Sequence, residues 1–149
     1  MNQQIYERLV LVFNEQEKNL HSEDQGVNLI EHKALSNCLD CMEYMDANYS
    51  IDLDCSSISL EVIDLFLKRA KEAHDEGTLD HTDMFLEMLS GYVAMVMKNE
   101  VGGEFVYDEN GESLDIHSNP IYFNEMVKTC FLRGESILEK WKEVKENLV

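Results

Sequence analysis

The sequence predicts a mainly helical α+β domain, with about five to six helices bundled against a small antiparallel β-hairpin or sheet near residues 104–117. Three observations predict it. Chain breakers are scarce: Pro120 is the only proline and there are seven glycines, while Leu, Met, Glu and Lys are abundant. Apolar residues recur every three to four positions over long stretches. One segment, Glu104 to His117, switches instead to strand composition around Asn110-Gly111. A length of 149 residues fits a single globular domain, 1–149. A chain of that size buries roughly 70% of its unfolded surface, so its core needs no metal or disulfide staple.

The first helix spans about Gln3 to Leu20, with Ile5, Leu9, Val12 and Gln16 on one face and Tyr6 and Phe13 widening it. His21 to Gly26 reads as a loop. The second helix runs from about Val27 to Ala47. Ile30, Ala34, Cys38, Cys41 and Met45 form its apolar row, flanked by Leu35 and Met42, with Asp40 and Glu43 opposite. An extended connector, Asn48 to Cys55, leads to Ser56 as the N-cap of a third helix that ends near His74, its stripe being Leu60, Ile63, Leu67 and Ala70. Gly77 stops it. The fourth helix, about Asp80 to Asn99, is apolar around much of its circumference and is therefore expected at the centre. Gly91 within it costs about 1 kcal/mol relative to Ala, which points to close approach of another backbone.

Gly102-Gly103 ends that helix. Glu104 to Tyr107 and Ser113 to His117 form a hairpin, with Asn110-Gly111 as a type I′ turn and Leu114 and Ile116 on one face. A hairpin alone is marginal, so it must pack on helices or pair with Ser50 to Leu53. Asn119 caps and Pro120 opens a fifth helix, with Tyr122, Met126, Cys130, Ile121, Val127 and Phe131 inward, and Gly134 breaks it. A last helix from Glu135 places Ile137, Trp141, Val144 and Leu148 on one side.

The charge balance is the strongest functional feature. Thirty acidic residues against twelve basic ones give a formal net charge of −18. Such a field repels nucleic-acid phosphates and anionic membrane surfaces and attracts cations. The N-terminal segment lacks a basic stretch followed by an apolar one, and no apolar run is long enough to span a bilayer, so a cytoplasmic location with reduced thiols is expected. Two long blocks carry acids and no base. The first holds Asp40, Glu43, Asp46, Asp52, Asp54, Glu61 and Asp64. The second holds Glu100, Glu104, Asp108, Glu109, Glu112, Asp115 and Glu125, and it centres on the hairpin. Glu104, Asp108, Glu109, Glu112 and Asp115 are the candidate partner-binding residues, since carboxylates along a hairpin rim take Lys and Arg clusters as phosphates do. A solubilising surface is the alternative reading of the same residues.

From Ser50 onward the chain resembles a family of small bacterial α+β domains of unknown function. The resemblance rests on Ile51-Asp52-Leu53-Asp54-Cys55-Ser56 leading into Ser59 to Asp64, on Leu89-Ser90-Gly91-Tyr92-Val93-Ala94-Met95-Val96 running into Gly102 to Tyr107, and on Asn119-Pro120 with Gly134 after it. Relatives usually show a Glu after the Tyr and a Trp before the valine of the strand. Here Met95 and Phe105 stand in those regions, so a role for that Glu does not carry over. Domains of this kind occur among immunity proteins of interbacterial toxin systems, which implies binding rather than catalysis.

Cys38-x-x-Cys41 is the sharpest local motif, because helix positions three apart share a face and two thiolates can ligate one soft metal. A site needs further ligands, with Cys55, Cys130, His32 or His21 available. The pair sits mid-helix on an apolar row, where buried reduced cysteines serve as small apolar residues. His74-Asp75-Glu76 and Asp80-His81-x-Asp83 flank Gly77 and form a second cation candidate without EF-hand spacing. The reading is a non-enzymatic acidic interaction domain without a cofactor, of the kind an immunity-like inhibitor of a basic partner such as a nuclease toxin would be. The alternatives are a metal- or thiol-dependent enzyme using Cys38 and Cys41, and a structural subunit with no charged partner.

Overall fold

The computed structural model describes residues 3–20 and 26–148. The helices are α1 (Gln3–Leu20), α2 (Leu29–Tyr49), α3 (Leu60–Asp75), α4 (Thr82–Val101), α5 (Phe123–Arg133) and α6 (Ile137–Glu146). A 3-10 turn, Ser57–Ser59, precedes α3. Between α4 and α5 lie β1 (Glu104–Asp108), β2 (Gly111–Ile116) and β3 (Asn119–Ile121), an antiparallel sheet in the order β1-β2-β3. The fold is thus α+β and mainly helical. The loop expected from His21 lies outside the described residues except for Gly26. No described helix is long and apolar enough to cross a membrane.

Helix α4 occupies the centre. Every residue from Leu89 to Met97 is buried, which follows from apolar residues around nearly its whole circumference. Its closest partner is α2, and Gly91 is the reason. A Cβ at Gly91 would stand 2.3 Å from Asn37 Cβ and 2.7 Å from the Ala34 carbonyl oxygen. The missing side chain lets two helical backbones nearly touch. From α2, Ala34, Leu35, Cys38, Leu39, Cys41, Met42 and Met45 fill the interface. Asn28 caps α2, its side-chain oxygen accepting from Ile30 and Glu31 N–H while its amide donates to the Phe105 carbonyl (2.7 Å). One residue therefore starts a helix and ties it to β1.

Helix α1 docks differently: none of its side chains is fully buried. Ile5, Tyr6, Leu9, Val10 and Phe13 are half-buried against the core. Val12, expected on the inner face, is 43% exposed, because a shallow contact admits only the centre of a wide apolar stripe. Polar clamps complete the contact. The His32 ring stacks on Phe13 (centroids 4.5 Å apart) and its nitrogens meet Gln16 (2.8 Å) and Glu17 (2.7 Å). Tyr6 donates to Glu43, and that bond first, then burial, pushes the phenol up to about 12.

Three local expectations are corrected. Ser56 precedes the 3-10 turn and caps nothing with its side chain; its hydroxyl donates to Asp54 (2.5 Å) instead. Asn110-Gly111 is not a type I′ turn. Glu109 and Asn110 are the turn residues between the paired Asp108 and Gly111, and of these positions only Gly111 has positive φ (114°). Asp108 stabilises that turn by accepting the Asn110 N–H (2.8 Å). The paired positive φ values characteristic of a type I′ turn occur at His117 (50°) and Ser118 (68°), between Ile116 and Asn119. Consequently Asn119-Pro120 does not open a helix. It forms β3, with Pro120 opposite Asp115 on an edge strand where a missing N–H is tolerated. Helix α5 starts only at Phe123. The third strand supplies the pairing that Ser50 to Leu53 was a candidate to provide.

Gly134 ends α5 in the left-handed region (φ 67°), and α6 then brings Ile137 and Trp141 fully into the core. Gly91→Ala is expected to lower stability by about 1–3 kcal/mol, overpacking outweighing the gain in helix propensity. Urea unfolding with an unchanged m-value checks this.

Candidate functional site

The hairpin carries the five predicted carboxylates in two different situations. Glu104 and Glu109 are exposed. Asp108 is half-buried and accepts the Tyr122 hydroxyl (2.7 Å), a bond that pushes the phenol's pKa up. Glu112 is likewise engaged, with Asn124 (3.0 Å) and Lys33 (3.4 Å). Asp115 lies directly opposite Glu104 in the β1–β2 register. Like charges so placed repel. Asp115 Oδ1 is also the one buried side-chain oxygen or nitrogen without a hydrogen-bond partner among the described residues.

Between the exposed acids lie side chains that charge counting misses. Val106 is 38% and Tyr107 is 73% exposed on β1, the edge strand of the sheet. Period-two alternation places Tyr107 with Phe105, whose ring is buried against Phe123. Toward the hairpin tip the strand outruns the core, so the same face becomes solvent-exposed. The available signal was a tyrosine adjoining an acidic turn, Tyr107-Asp108-Glu109.

Several other acids hold the fold. Asp64 on α3 accepts Ser136 Oγ and Ile137 N–H (both 2.5 Å), at the start of α6. Glu100 on α4 accepts the Trp141 indole N–H (2.7 Å) and pairs with Lys145 (2.6 Å). Burial raises the Glu100 pKa, but these two partners outweigh it and hold the carboxyl below its usual value. Asp54 accepts from Ser56.

The thiols are all inside. Cys38 and Cys41 are fully buried, and Cys41 is pushed up by burial and then by Cys55 and Asp40. The neighbour of Cys38 is Cys55, with sulfurs 4.0 Å apart. Among the described residues, no three His, Cys, Asp or Glu side chains converge as metal donors. His74 and His81 share an open groove with Thr82, Asp83 and Lys128, and His74 Nδ1 contacts Thr82 Oγ1 (3.3 Å). His21 lies outside the described residues.

Two outcomes test the structural acids. Asp64→Ala is expected to cost about 1–3 kcal/mol by stranding the Ile137 N–H, measured by chemical denaturation. The Glu100 contact is fully stabilising above the unfolded carboxylate pKa and is lost as pH falls through the lower folded one. Trp141 fluorescence should therefore change in that acid window, and Glu100→Gln should remove the step.

No protein-family model, no curated protein and no solved structure matches this chain.

Proposed function

We propose that this chain is a non-enzymatic interaction domain that binds a basic protein through β1 and the hairpin turn. One observation carries the reading: Tyr107 stands 73% exposed on an edge strand next to the turn that carries the exposed carboxylate Glu109, while Val106 and the exposed Glu104 lie on the strand's other face. A ring near an exposed carboxylate offers a Lys or Arg side chain both an aromatic face and a counter-charge. Tyrosine is also enriched among the residues that dominate binding energy. Asp108 and Glu112, held by Tyr122, Asn124 and Lys33, fix the shape of the hairpin beneath this surface.

A net charge of −18 accelerates encounter with a cationic partner. A nuclease toxin is the partner class favoured by the resemblance from Ser50 onward. Its phosphate-binding Lys and Arg side chains are what a carboxylate array occludes, and an inhibitor of this kind acts in the cytoplasm.

The test is capture of basic proteins by the immobilised chain at ionic strengths from about 0.01 M to about 1 M, where the Debye length falls from roughly 30 Å to 3 Å. Retention at low salt and release at high salt are expected. The triple variant Glu104→Lys, Tyr107→Ala, Glu109→Lys, with unchanged circular dichroism, should bind at least about tenfold more weakly. Equal retention by this variant, or no basic protein retained at low salt, overturns the proposal.

A further inference from the structure

Beneath α1 lies a groove of about 290 Å³ whose lining includes Arg8, Asp54, Cys55, Lys98 and Asn99. Of its two cations, Arg8 acts on the Cys55 thiol, while Lys98 pairs with Glu31 (3.5 Å). Cys55 sits in the connector after α2, outside any helix, with positive φ (61°). Its backbone is held by a directed chain. Cys55 N–H donates to the Tyr92 hydroxyl (3.0 Å), Tyr92 donates to Ser59 Oγ (2.6 Å), and Ser59 donates to the Ser56 carbonyl (2.6 Å). Behind Cys55, on the core side, Cys38 Sγ lies 4.0 Å from Cys55 Sγ. A cysteine on the groove wall, an arginine near it and a second thiol 4.0 Å away are the parts of a two-step thiol oxidation.

We propose that Cys55 is a hydroperoxide-reactive nucleophile and that Cys38 is its resolving thiol. The Cys55 thiolate attacks the distal oxygen of the hydroperoxide. An S–O bond forms, the O–O bond breaks, and the leaving oxygen departs as alcohol or water with the proton that the thiol released. Cys38 sulfur then attacks the sulfenic sulfur. An S–S bond forms, the S–O bond breaks, and the hydroxyl leaves as water with the Cys38 proton. Two thiols lose two electrons and the peroxide gains them.

The electrostatics agree with this order of events. The hydrogen bond with Cys38, and Arg8 after it, hold the Cys55 thiol below its ordinary value against burial and Asp54. Cys38 itself is pushed well above it. Cys130 supplies an internal contrast. It also lines a groove, but burial and then Glu135 push it up to about 11, and Lys68, Lys71 and Ser136 belong to the same groove without a second thiol. A disulfide needs the sulfurs at about 2.0 Å. The approach falls to Cys55, on a connector, rather than to Cys38, inside α2.

The test treats the full chain with a small excess of hydrogen peroxide, then follows free thiols and maps peptides. The wild type should lose two of its four thiols and yield a Cys38–Cys55 linked peptide that a dithiol reductant reverses. Cys38→Ser should stop at a sulfenic acid on Cys55, trapped by dimedone. Cys130→Ser should leave the reaction unchanged. Arg8→Gln, at a groove-wall position on the shallow helix, should slow Cys55 oxidation about tenfold at neutral pH and move its rate profile to higher pH. Peptide mapping of the wild type requires no variant to fold. Four intact thiols after treatment, a disulfide that omits either Cys38 or Cys55, or oxidation of Cys130 as fast as that of Cys55 overturns the proposal.

Discussion

The contact at Gly91 governs the arrangement of the molecule. Two helices without an intervening side chain approach to the limit set by their backbones, and positions on either side of the contact become fixed to one another. Asn37 and Ala34 press on Gly91 from α2. One residue further along α4, Tyr92 reaches the backbone of Cys55. On the α2 side, Cys38 is carried to the sulfur of that same cysteine. The connector after α2 is thus located by two helices whose separation neither connector nor side chain sets. Any residue larger than glycine would widen the spacing and loosen each of these placements together.

The carboxylates divide by role. Asp64, Glu100 and Asp54 accept hydrogen bonds from groups that would otherwise be stranded at a helix start, an indole and a turn. Asp108 and Glu112 brace the hairpin. Glu104 and Glu109 are left facing solvent. The large negative charge is therefore partly the by-product of using acids as tethers, and on the hairpin the unengaged charge is smaller than the composition implies. Asp115, opposite Glu104 and with a sheltered oxygen unmatched, is the place where this use of acids is least comfortable for the fold.

What the sequence revealed follows from how local each determinant is. Helical stripes such as Leu60, Ile63, Leu67 and Ala70 emerge because periodicity is a short-range property, and all four are buried. Gly91 was legible because a glycine in an otherwise well-formed helix needs an explanation. Asn119-Pro120 misled because the same dipeptide serves a helix start and an edge strand, and the choice depends on whether β2 is there to pair with it. The left-handed turn at His117-Ser118 lacks the Asn-Gly or Asp-Gly signature of such turns, and the enrichment of His at positive φ is too weak a signal to reveal it. The pairing of Cys38 with Cys55, and of Asp64 with the α6 start 72 positions away, depends on packing between elements. No pattern within a single window encodes either.

Helix α1 has a consequence of its own. A helix that contributes no fully buried side chain adds little to the cooperative unit formed by α2 and α4, and its release costs less than global unfolding. It also forms one wall of the groove that contains Cys55, through Ile5, Arg8 and Leu9. Sub-global opening of this one segment would admit solvent but carry Arg8 away from Cys55, so the reactivity proposed for that thiol belongs to the docked state of a peripheral helix.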